Sequence, residues 1–462
     1  MDAQDPCAEL TAFLQDNPGV TGIDMLLPDM NGIPRGKRIA RDGASKLYSD
    51  GVRMPGSTYV LDATGRNVDT LPYGSSDGDP DYTCHAVPGT LKPVPWSGGK
   101  LAQVVASMRE DSGAPFFADP RQIVARAAEP LRAMGLTPVA ALELEFYLLH
   151  PKPGPDGRFA PAFSPLTGTP LTTTQVYGLE ELYDFEEFLS EVEAACLAQG
   201  VPADTATSEY APGQFEINLH HVADPVAACD HAMLLKRIVK GVAKAHGLLA
   251  TFMAKPFQEF AGSGMHIHVS LIDRDGRNVF AADAIDAETG LPCAQTLKHA
   301  IGGLQAAMAE SMAIFAPNAN SYRRLVPGSY APINRAWGVN NRTVSLRIPD
   351  GPPQAMRVEH RPAGADASPY LVLAAVLAGI HHGLANHIDP GPIERGDAYA
   401  RARAPLPRRW NAALGALEQG EILKRYLGEE YMRVFAAARR FESDAFHAVV
   451  QPLDYEWYLR VV

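Results

Sequence analysis

Cysteine is scarce in this chain of 462 residues, and the five cysteines present are scattered, odd in number and without a CxxC pair. They are Cys7, Cys84, Cys196, Cys229 and Cys293. Such a pattern does not read as a disulfide framework, and it fits a protein of the reducing cytoplasm.

Long apolar and long basic runs are also missing. The longest apolar stretch, residues 370–380, is about half of a membrane span, and the N-terminal MDAQDPCAEL lacks the basic start and apolar core of a signal peptide. The longest basic run is RGKR at residues 35–38, and the net charge is −12. We therefore expect no export, no membrane insertion and no nucleic-acid partner. An acidic surface suits a cationic small substrate, although many cytosolic enzymes are acidic for solubility alone.

The length exceeds the usual size of one core, so a small and a large domain are predicted. The first part is rich in short strands and turns, including VTGIDMLL and a second strand near Arg38. A helix then opens at Asp119, the predicted N-cap, with Gly135 just past its end. We place the boundary just before this helix, which gives domains 1–115 and 116–462.

Hydrophobic spacing and turn residues predict the remaining elements. Residues 72–89 have little periodicity and are predicted to be an ordered loop. Apolar residues at helical spacing predict a helix over 180–199 that Gly200 terminates. Further helices are predicted after Pro369 and over 405–462.

Ionisable side chains stand two residues apart in several stretches that otherwise read as buried strands. They are Glu143 and Glu145 in ALELEFYLL, His266 and His268 in GSGMHIHVSL, Arg357, Glu359 and Arg361 in MRVEHRP, and Arg347 in TVSLRIP. Residues i and i+2 of a strand point to one face, so the charged groups share a face opposite the apolar ones. Carboxylates alone would indicate a hard cation and arginines alone an anion. Together they indicate a metal–nucleotide site for phosphoryl transfer.

Two further segments support a metal site only in combination with the strands. In SEYAPGQFEIN a Pro-Gly turn separates Glu209 from Glu216 and would bring both carboxylates to one cation, although such a pair is also typical of a solvated surface. Glycines before His266 allow close backbone approach to a ligand. No third His or Cys stands at a fitting spacing, which disfavours zinc, and each histidine could equally be a hydrogen-bonded core residue.

Arginines are concentrated between residues 318 and 361, where several stand beside prolines and apolar residues. They are Arg323, Arg324, Arg342, Arg347, Arg357 and Arg361. Guanidinium pairs bidentately with phosphate and carboxylate, so the block indicates anion binding, with an exposed surface position as the alternative for any single one.

Taken in order, ELEF, SEYAPGQFEIN, KPFQEFAGSGMHIHVSL, NSYRRLVPG, NRTVSLRIP and RVEHR resemble the glutamine synthetase superfamily, and the likeness extends over nearly the whole chain. The resemblance implies an α+β protein with an N-terminal β-grasp domain and a catalytic domain in which helices surround an antiparallel sheet. It also implies a homo-oligomer, a dodecamer of two hexameric rings with active sites between subunits.

In that family ATP phosphorylates the γ-carboxylate of L-glutamate and an amine then displaces phosphate. Two or three Mg²⁺ or Mn²⁺ ions are implied. The positions that match the ligands of one ion are Glu145, Glu209 and Glu216, and those that match the second are Glu143, His266 and Glu359. The positions that match nucleotide contacts are His268, Arg342, Arg347, Arg357 and Asp204, and those that match glutamate contacts are Arg324, Arg361 and Gly262. Arg342 and Arg324 are expected to act in catalysis as well.

The chain departs from ammonia-using members where a flap glutamate would help to deprotonate ammonium. Tyr330 stands there, and a phenol cannot serve as that base at neutral pH. The glutamate-contacting asparagine is Ala261, and a nucleotide-site lysine is Gln354. These departures resemble the γ-glutamylpolyamine synthetase branch, in which the vacated space accepts an alkylamine.

A free alkylamine has a pKa of about 10.4, so a base must still remove a proton. The candidate bases are Glu209 and Asp62, which aligns loosely with the acid of the ammonium pocket, and Tyr177 matches a residue lining that pocket. The predicted activity is ligation of glutamate to a polyamine such as putrescine or spermidine through γ-glutamyl phosphate, in polyamine or amine catabolism. The alternatives are a monoamine or ethanolamine ligase, an ammonia-dependent glutamine synthetase, and a catalytically silent relative.

Overall fold

The computed structural model describes residues 5–74, 76–400 and 405–462, and its strands form two sheets. The first sheet comprises β1 (Gly22–Pro28), β2 (Pro34–Arg35), β3 (Arg38–Ala40), β4 (Val52–Pro55), β5 (Asp81–Ala86), β6 (Lys92–Pro93) and β7 (Leu101–Arg109). Its main order is β2-β1-β7-β5-β4, and the central pair β1 and β7 is parallel. The strands predicted at VTGIDMLL and near Arg38 are confirmed as β1 and β3.

The prediction of an ordered loop over residues 72–89 is wrong for residues 81–86, which form β5. This strand pairs antiparallel with β4 on one side and β7 on the other. Of its six side chains only Cys84 is fully buried, so the sequence carries no alternating apolar signal. Hydrogen bonds to both neighbours hold the segment extended instead.

The second sheet is larger and carries the site described below. It comprises β8 (Thr137–Leu149), β9 (Ala203–Ser208), β10 (Gln214–Leu219), β11 (Leu249–Thr251), β12 (Met265–Ile272), β13 (Trp337–Val339), β14 (Leu346–Ile348) and β15 (Val358–His360). The order is β13-β14-β15-β12-β8-β10-β9, with β11 also pairing to β8. All pairs except β13–β14 are antiparallel, which confirms the predicted α+β class with an antiparallel sheet.

The described residues also form helices. They are α1 (Ala8–Asp16), α2 (Pro120–Ala133), α3 (Leu179–Asp184), α4 (Glu186–Gln199), α5 (Pro225–Ala245), α6 (Gln295–Phe315), α7 (Pro369–Asn386), α8 (Trp410–Gln419), α9 (Ile422–Leu427), α10 (Glu429–His447) and α11 (Pro452–Tyr458). Of these, α2, α3, α4 and α5 contact the second sheet. The predicted cap is confirmed: Asp119 Oδ1 accepts a hydrogen bond from the Arg121 amide at 2.9 Å. The predicted helix over 180–199 is interrupted at Phe185, whose ring is buried, and Gly200 ends it with a φ of 69°.

The apolar helix α7 lies in the core and packs against α6 and α2. In the described part of the chain it is the one helix long and apolar enough to span a membrane, and 78% of that window is buried. Glycines allow the close crossing with α6, since a Cβ on Gly303 would collide with the carbonyl oxygen of Gly379. The residues of this helix are therefore used for packing.

Candidate active site

The register of the second sheet brings the predicted ionisable residues onto one face. Glu143 of β8 lies opposite Asn218 of β10 and His266 of β12, and Glu145 lies opposite Glu216. One strand further along, Glu359 of β15 lies between His268 of β12 and Arg347 of β14. Directly opposed residues have neighbouring side chains, so carboxylates, imidazoles and guanidinium groups converge at the centre of the sheet.

A cavity of about 920 Å³ opens on this face. The residues predicted from the sequence that line it are Glu143, Glu145, Tyr177, Glu209, Glu216, Gly262, His266, Arg324, Tyr330, Arg342, Arg347, Glu359 and Arg361. They come from seven separate segments of the chain, and the structure brings them to a single cavity.

The carboxylates and histidines are spaced to hold metal ions. Ligand atoms of Glu143, Glu216 and His266 lie within 4.8 Å of one another, and so do those of Glu143, His268 and Glu359. Carboxylate oxygens with one imidazole form a donor set that fits Mg²⁺ or Mn²⁺. Glu143 belongs to both groups, and His266 Nδ1 also lies 4.0 Å from Glu359 Oε1, the neighbour it has in the predicted set.

Burial and neighbouring charges raise the pKa of some carboxyl groups in the cavity and lower the pKa of others. Burial, followed by repulsion from Glu143, Glu145, Glu209 and Glu359, raises the pKa of Glu216 to about 9. Burial and the neighbouring Glu145 raise the pKa of Glu209 to about 7. Burial also acts on Glu143, but hydrogen bonds from His266 and His268 hold its pKa well below the usual range. A bound cation would relieve the repulsion around Glu216 and Glu209, so the cluster fits a metal site.

We expect divalent metal binding to release protons and to strengthen as pH rises from about 6 to 9. The pKa of about 9 leaves Glu216 protonated in the metal-free protein at neutral pH, and a metal ligand must give up that proton. The same raised pKa means that the metal-free fold loses stability as pH rises from 4.5 towards 9. Calorimetric titration of Mn²⁺ in buffers of different ionisation enthalpy measures the released protons. Binding at pH 7 without proton release, or equal release in Glu216→Gln, would contradict this prediction.

Glu359 is held by two arginines. Arg347 donates to its Oε2 at 2.6 Å, and Arg361 donates to its Oε1. Burial by itself raises the pKa of this carboxyl, but Arg361 first, and then His268, His266 and Arg347, lower it to about 2. Glu359 is therefore ionised throughout the physiological range and orients two guanidinium groups at the cavity wall.

Arg324 lies against the glycine-rich segment that precedes β12. Its Nη1 donates to the carbonyl oxygen of Pro362 at 3.0 Å, and burial lowers the pKa of its guanidinium below the usual range. A Cβ on Gly262 would come within 2.8 Å of the Arg324 Cγ, and one on Gly264 within 2.6 Å of Nη2. Both glycines are thus required for Arg324 to reach the cavity.

Two tyrosines at the mouth of the cavity have left-handed backbone conformations. Tyr177 has a φ of 59° and Tyr330 a φ of 54°, and their exposed fractions are 59% and 56%. A positive φ is uncommon for bulky residues and costs about 1–3 kcal/mol, so it persists only where the surrounding structure demands it. Such strain concentrates at functional sites, which agrees with the predicted place of both residues beside the amine.

Three predicted nucleotide contacts do not line the cavity of this chain. His268 is buried, its Nε2 lies 2.8 Å from Glu143 Oε1, and its Nδ1 accepts from Arg357 Nε at 3.1 Å. Arg357 also donates to the Ala355 carbonyl oxygen. Asp204 is on β9, with one carboxylate oxygen 3.5 Å from His220 Nε2. His268 therefore contacts Glu143, and Arg357 holds the imidazole of His268.

Asp62, a predicted candidate base, does not line the cavity of its own chain. It is fully buried in a turn, where Oδ1 accepts from the Thr64 amide and hydroxyl and from the Arg66 amide. Burial raises the pKa of this carboxyl, but these hydrogen bonds outweigh it and leave the pKa below the usual value. The next residue, Ala63, is held by Glu442 of α10. Asp62 stabilises this turn by accepting hydrogen bonds within it.

Sequence reasoning missed several residues of the cavity. Gln214 Nε2 donates to the Gly262 carbonyl oxygen at 3.1 Å, and Asn218 Nδ2 donates to Glu143 Oε1 at 3.3 Å. Both flank Glu216 at a spacing of two on β10, so the same-face rule applied to neutral amides would have found them. Lys255 and Glu259 also line the cavity, but they lie in an irregular loop that offers no such period.

The fold and the acid- and arginine-lined cavity define the class of protein as an α+β enzyme. The profile of the glutamine synthetase catalytic domain matches residues 117–458. The chain therefore belongs to the glutamine synthetase family, as the resemblance in its motifs implied.

Several characterised relatives align over most of the chain. It is 41% identical over 452 residues to γ-glutamylputrescine synthetase PuuA of Escherichia coli K12, covering 98% of this chain and 94% of the relative. It is 33% identical to γ-glutamylethanolamide synthetase GlnA4 of Streptomyces coelicolor, with 94% and 91% covered. It is 31% identical to the glutamate–isopropylamine ligase of a Pseudomonas species, with 94% of each covered. A solved GmaS–ADP complex superimposes with a TM-score of 0.83 at 27% identity, covering 97% of this chain and 99% of that one.

Proposed function

We propose that this protein is an ATP-dependent ligase that joins the γ-carboxylate of L-glutamate to an amine, and that the amine is a polyamine such as putrescine or spermidine. The reaction would serve polyamine or amine catabolism. The observation that carries this proposal is a cavity that combines clustered carboxylates with four arginines and presents Tyr330, without an acid, at its flap. The identity of 41% to an enzyme named for putrescine supports the choice of amine.

The carboxylates and arginines divide the chemistry between them. Glu143, Glu145, Glu209, Glu216, His266 and Glu359 are the proposed ligands of two or three Mg²⁺ or Mn²⁺ ions. When bound, such ions neutralise phosphoryl oxygens. Arg342 and Arg347 would bind the ATP phosphates, while His268 and Arg357 would position Glu143. Asp204 stays a predicted nucleotide contact.

Glutamate is proposed to bind where Arg324 and Arg361 meet Gly262. The forked donors of the two arginines suit a carboxylate, and the glycine leaves its backbone open to the substrate. Phosphoryl transfer to the γ-carboxylate then gives an acyl phosphate. The amine nitrogen attacks the acyl carbon, and the phosphate that leaves carries one carboxylate oxygen with it.

The amine is proposed to enter between Tyr177 and Tyr330. Glu209 is the proposed base, because its carboxylate lines the same cavity as Tyr177 and Tyr330. Asp62 of the same chain is not available for this role, for the reasons given above.

The mechanism is tested with L-glutamate labelled by ¹⁸O in both γ-carboxylate oxygens. We expect one ¹⁸O atom in each phosphate released during turnover with ATP and putrescine, measured by mass spectrometry. Phosphate without the label would mean that water attacks ATP directly, and the proposed ligase chemistry would be wrong.

A monoamine or ethanolamine is the second candidate acceptor. It is favoured by the relatives named for isopropylamine and γ-glutamylethanolamide, at 31% and 33% identity. An ammonia-dependent enzyme is disfavoured by Tyr330 at the flap. A silent relative is disfavoured because every proposed ligand position holds a residue capable of binding a metal ion.

We further propose that the chain folds as a domain of residues 1–115 and a catalytic domain of 116–462, acts in the cytoplasm, and assembles as a dodecamer of two hexameric rings. Exposed apolar side chains near the C-terminal helix α11, such as Trp457 and Leu459, are compatible with burial between subunits. Native mass spectrometry tests the assembly, and a monomer at micromolar concentration would contradict it.

A further inference from the structure

One buried carboxylate beside the cavity takes no part in the chemistry described so far. Asp366 lies in the loop between β15 and α7, and its Oδ2 accepts hydrogen bonds from Asn318 Nδ2 at 2.8 Å and Ser321 Oγ at 2.6 Å. Its Oδ1 is buried without a hydrogen-bond partner. Burying a carboxylate is costly, so this position calls for an explanation.

The partners of Asp366 belong to the turn of residues 318–324, which ends at Arg324. Inside this turn Asn318 Oδ1 accepts from the amides of Asn320 at 2.9 Å and Ser321 at 3.2 Å. The Ser321 hydroxyl oxygen in turn accepts from the Asn318 amide at 3.2 Å. The hydroxyl proton is therefore directed at Asp366, and the turn is tied to that carboxylate at two points.

The loop that carries Asp366 also holds the far end of Arg324 and the glycine-rich segment. Arg324 Nη1 donates to the Pro362 carbonyl oxygen, and the Ala365 amide donates to the Ser263 carbonyl oxygen at 3.0 Å. One loop thus contacts both the beginning of the turn and the guanidinium group at its end. The position of Arg324 relative to Gly262 depends on this loop.

Nearby cations and a neighbouring glycine also accommodate the carboxylate of Asp366. Arg324 and Lys236 are the nearby cations that act on its carboxylate, and Lys236 Nζ donates to the neighbouring Ala367 carbonyl oxygen at 2.9 Å. A Cβ on Gly364 would come within 2.5 Å of Asp366 Oδ1, so a glycine there leaves room for the carboxylate. Burial raises the pKa of Asp366, whereas the hydrogen bonds from Ser321 and Asn318, followed by Lys236 and Arg324, favour its ionised form.

We propose that Asp366 is a positioning residue for glutamate binding, which holds the 318–324 turn so that Arg324 meets the substrate carboxylate. The inference rests on the proposed function, in which Arg324 binds L-glutamate. Asp366 itself does not line the cavity.

The test is the steady-state kinetics of Asp366→Asn at saturating ATP and putrescine. The amide keeps the shape but loses the charge and one acceptor oxygen, so Asn318 and Ser321 lose a charge-assisted partner. We expect KM for L-glutamate to rise about tenfold to a hundredfold, while KM for ATP stays within about twofold of the wild-type value. Replacement of a residue that only stabilises the fold would not raise KM for L-glutamate while leaving KM for ATP unchanged.

Asp230→Asn is the matched control. Asp230 is also buried and engaged, by Arg121 at 2.9 Å through both oxygens and by Tyr370 at 2.7 Å, and it does not line the cavity. The Asp230→Asn variant is expected to have a lower melting temperature than the wild type and an unchanged KM for glutamate. If Asp366→Asn does not fold, Ser321→Ala, which removes one of the two bonds, is expected to raise KM for glutamate about threefold to tenfold.

The outcomes separate this inference from the proposed function. Unchanged KM for glutamate in folded Asp366→Asn, or in Ser321→Ala where the former does not fold, would overturn the positioning role while the ligase activity stands. A wild-type protein whose phosphate release does not depend on glutamate would overturn the proposed function instead.

Discussion

Replacement of Glu143 by glutamine is expected to reduce glutamate- and amine-dependent phosphate release at least about 10³-fold. Glu143 belongs to both groups of potential metal ligands, and its Oε1 lies 2.8 Å from His268 Nε2. The amide retains the size but removes the charge that the histidines and a cation share. Both metal positions are weakened at once, so this single substitution should have the largest effect in the cavity. Initial rates at saturating substrates measure it.

Glu193→Gln serves as the control, because Glu193 is an exposed carboxylate of α4 outside the cavity. It should keep wild-type turnover. Electron paramagnetic resonance of bound Mn²⁺ should show weaker binding in Glu143→Gln only. A Glu143→Gln protein that turns over within tenfold of the wild type would show that the clustered carboxylates are not the metal site.

Replacement of Tyr330 by glutamate is expected to lower the ratio of kcat/KM for putrescine to that for ammonium about 10²-fold. The new carboxylate would restore a proton acceptor for ammonium at the flap and fill space that the alkyl chain needs. Tyr330 already has a positive φ of 54°, and glutamate bears a comparable backbone cost there, so the change acts mainly through the side chain. Competition between the two acceptors, with products separated by mass, measures the ratio directly.

Tyr183→Glu is the matched variant for this experiment. Tyr183 lies on α3, has an exposed fraction of 67% and does not line the cavity. It should leave the ratio unchanged. If Tyr330→Glu also left it unchanged, the flap would not select the acceptor, and Tyr177 would become the first residue to test.

Much of the site could be predicted from the sequence because strand geometry is strictly periodic. The spacing of two in ALELEF, MHIHV and RVEHR predicts that each segment turns its charges to one face, and the structure places them so. The pairing of these segments could not be predicted in the same way. Glu143 and His266 are opposed across 123 residues of chain, and no local pattern encodes that register.

The failures have identifiable physical causes. Strand β5 is held by two neighbouring strands, and its own residues carry little alternation. The sequence did not indicate Asp366, because the contacts on which its proposed role depends form only where three loops that are distant in sequence come together. Gln214 and Asn218, in contrast, could have been found by extending the same-face rule to amides.

The most direct test of the account is ATP-dependent phosphate release with L-glutamate and Mg²⁺, run against putrescine, spermidine, ethanolamine, alkylamines and ammonium, with products identified by mass. We predict strong turnover with a polyamine, a γ-glutamyl amide as the product and little turnover with ammonium. Turnover chiefly with ammonium, or none with any acceptor, would contradict the assignment of this cavity to glutamate–polyamine ligation.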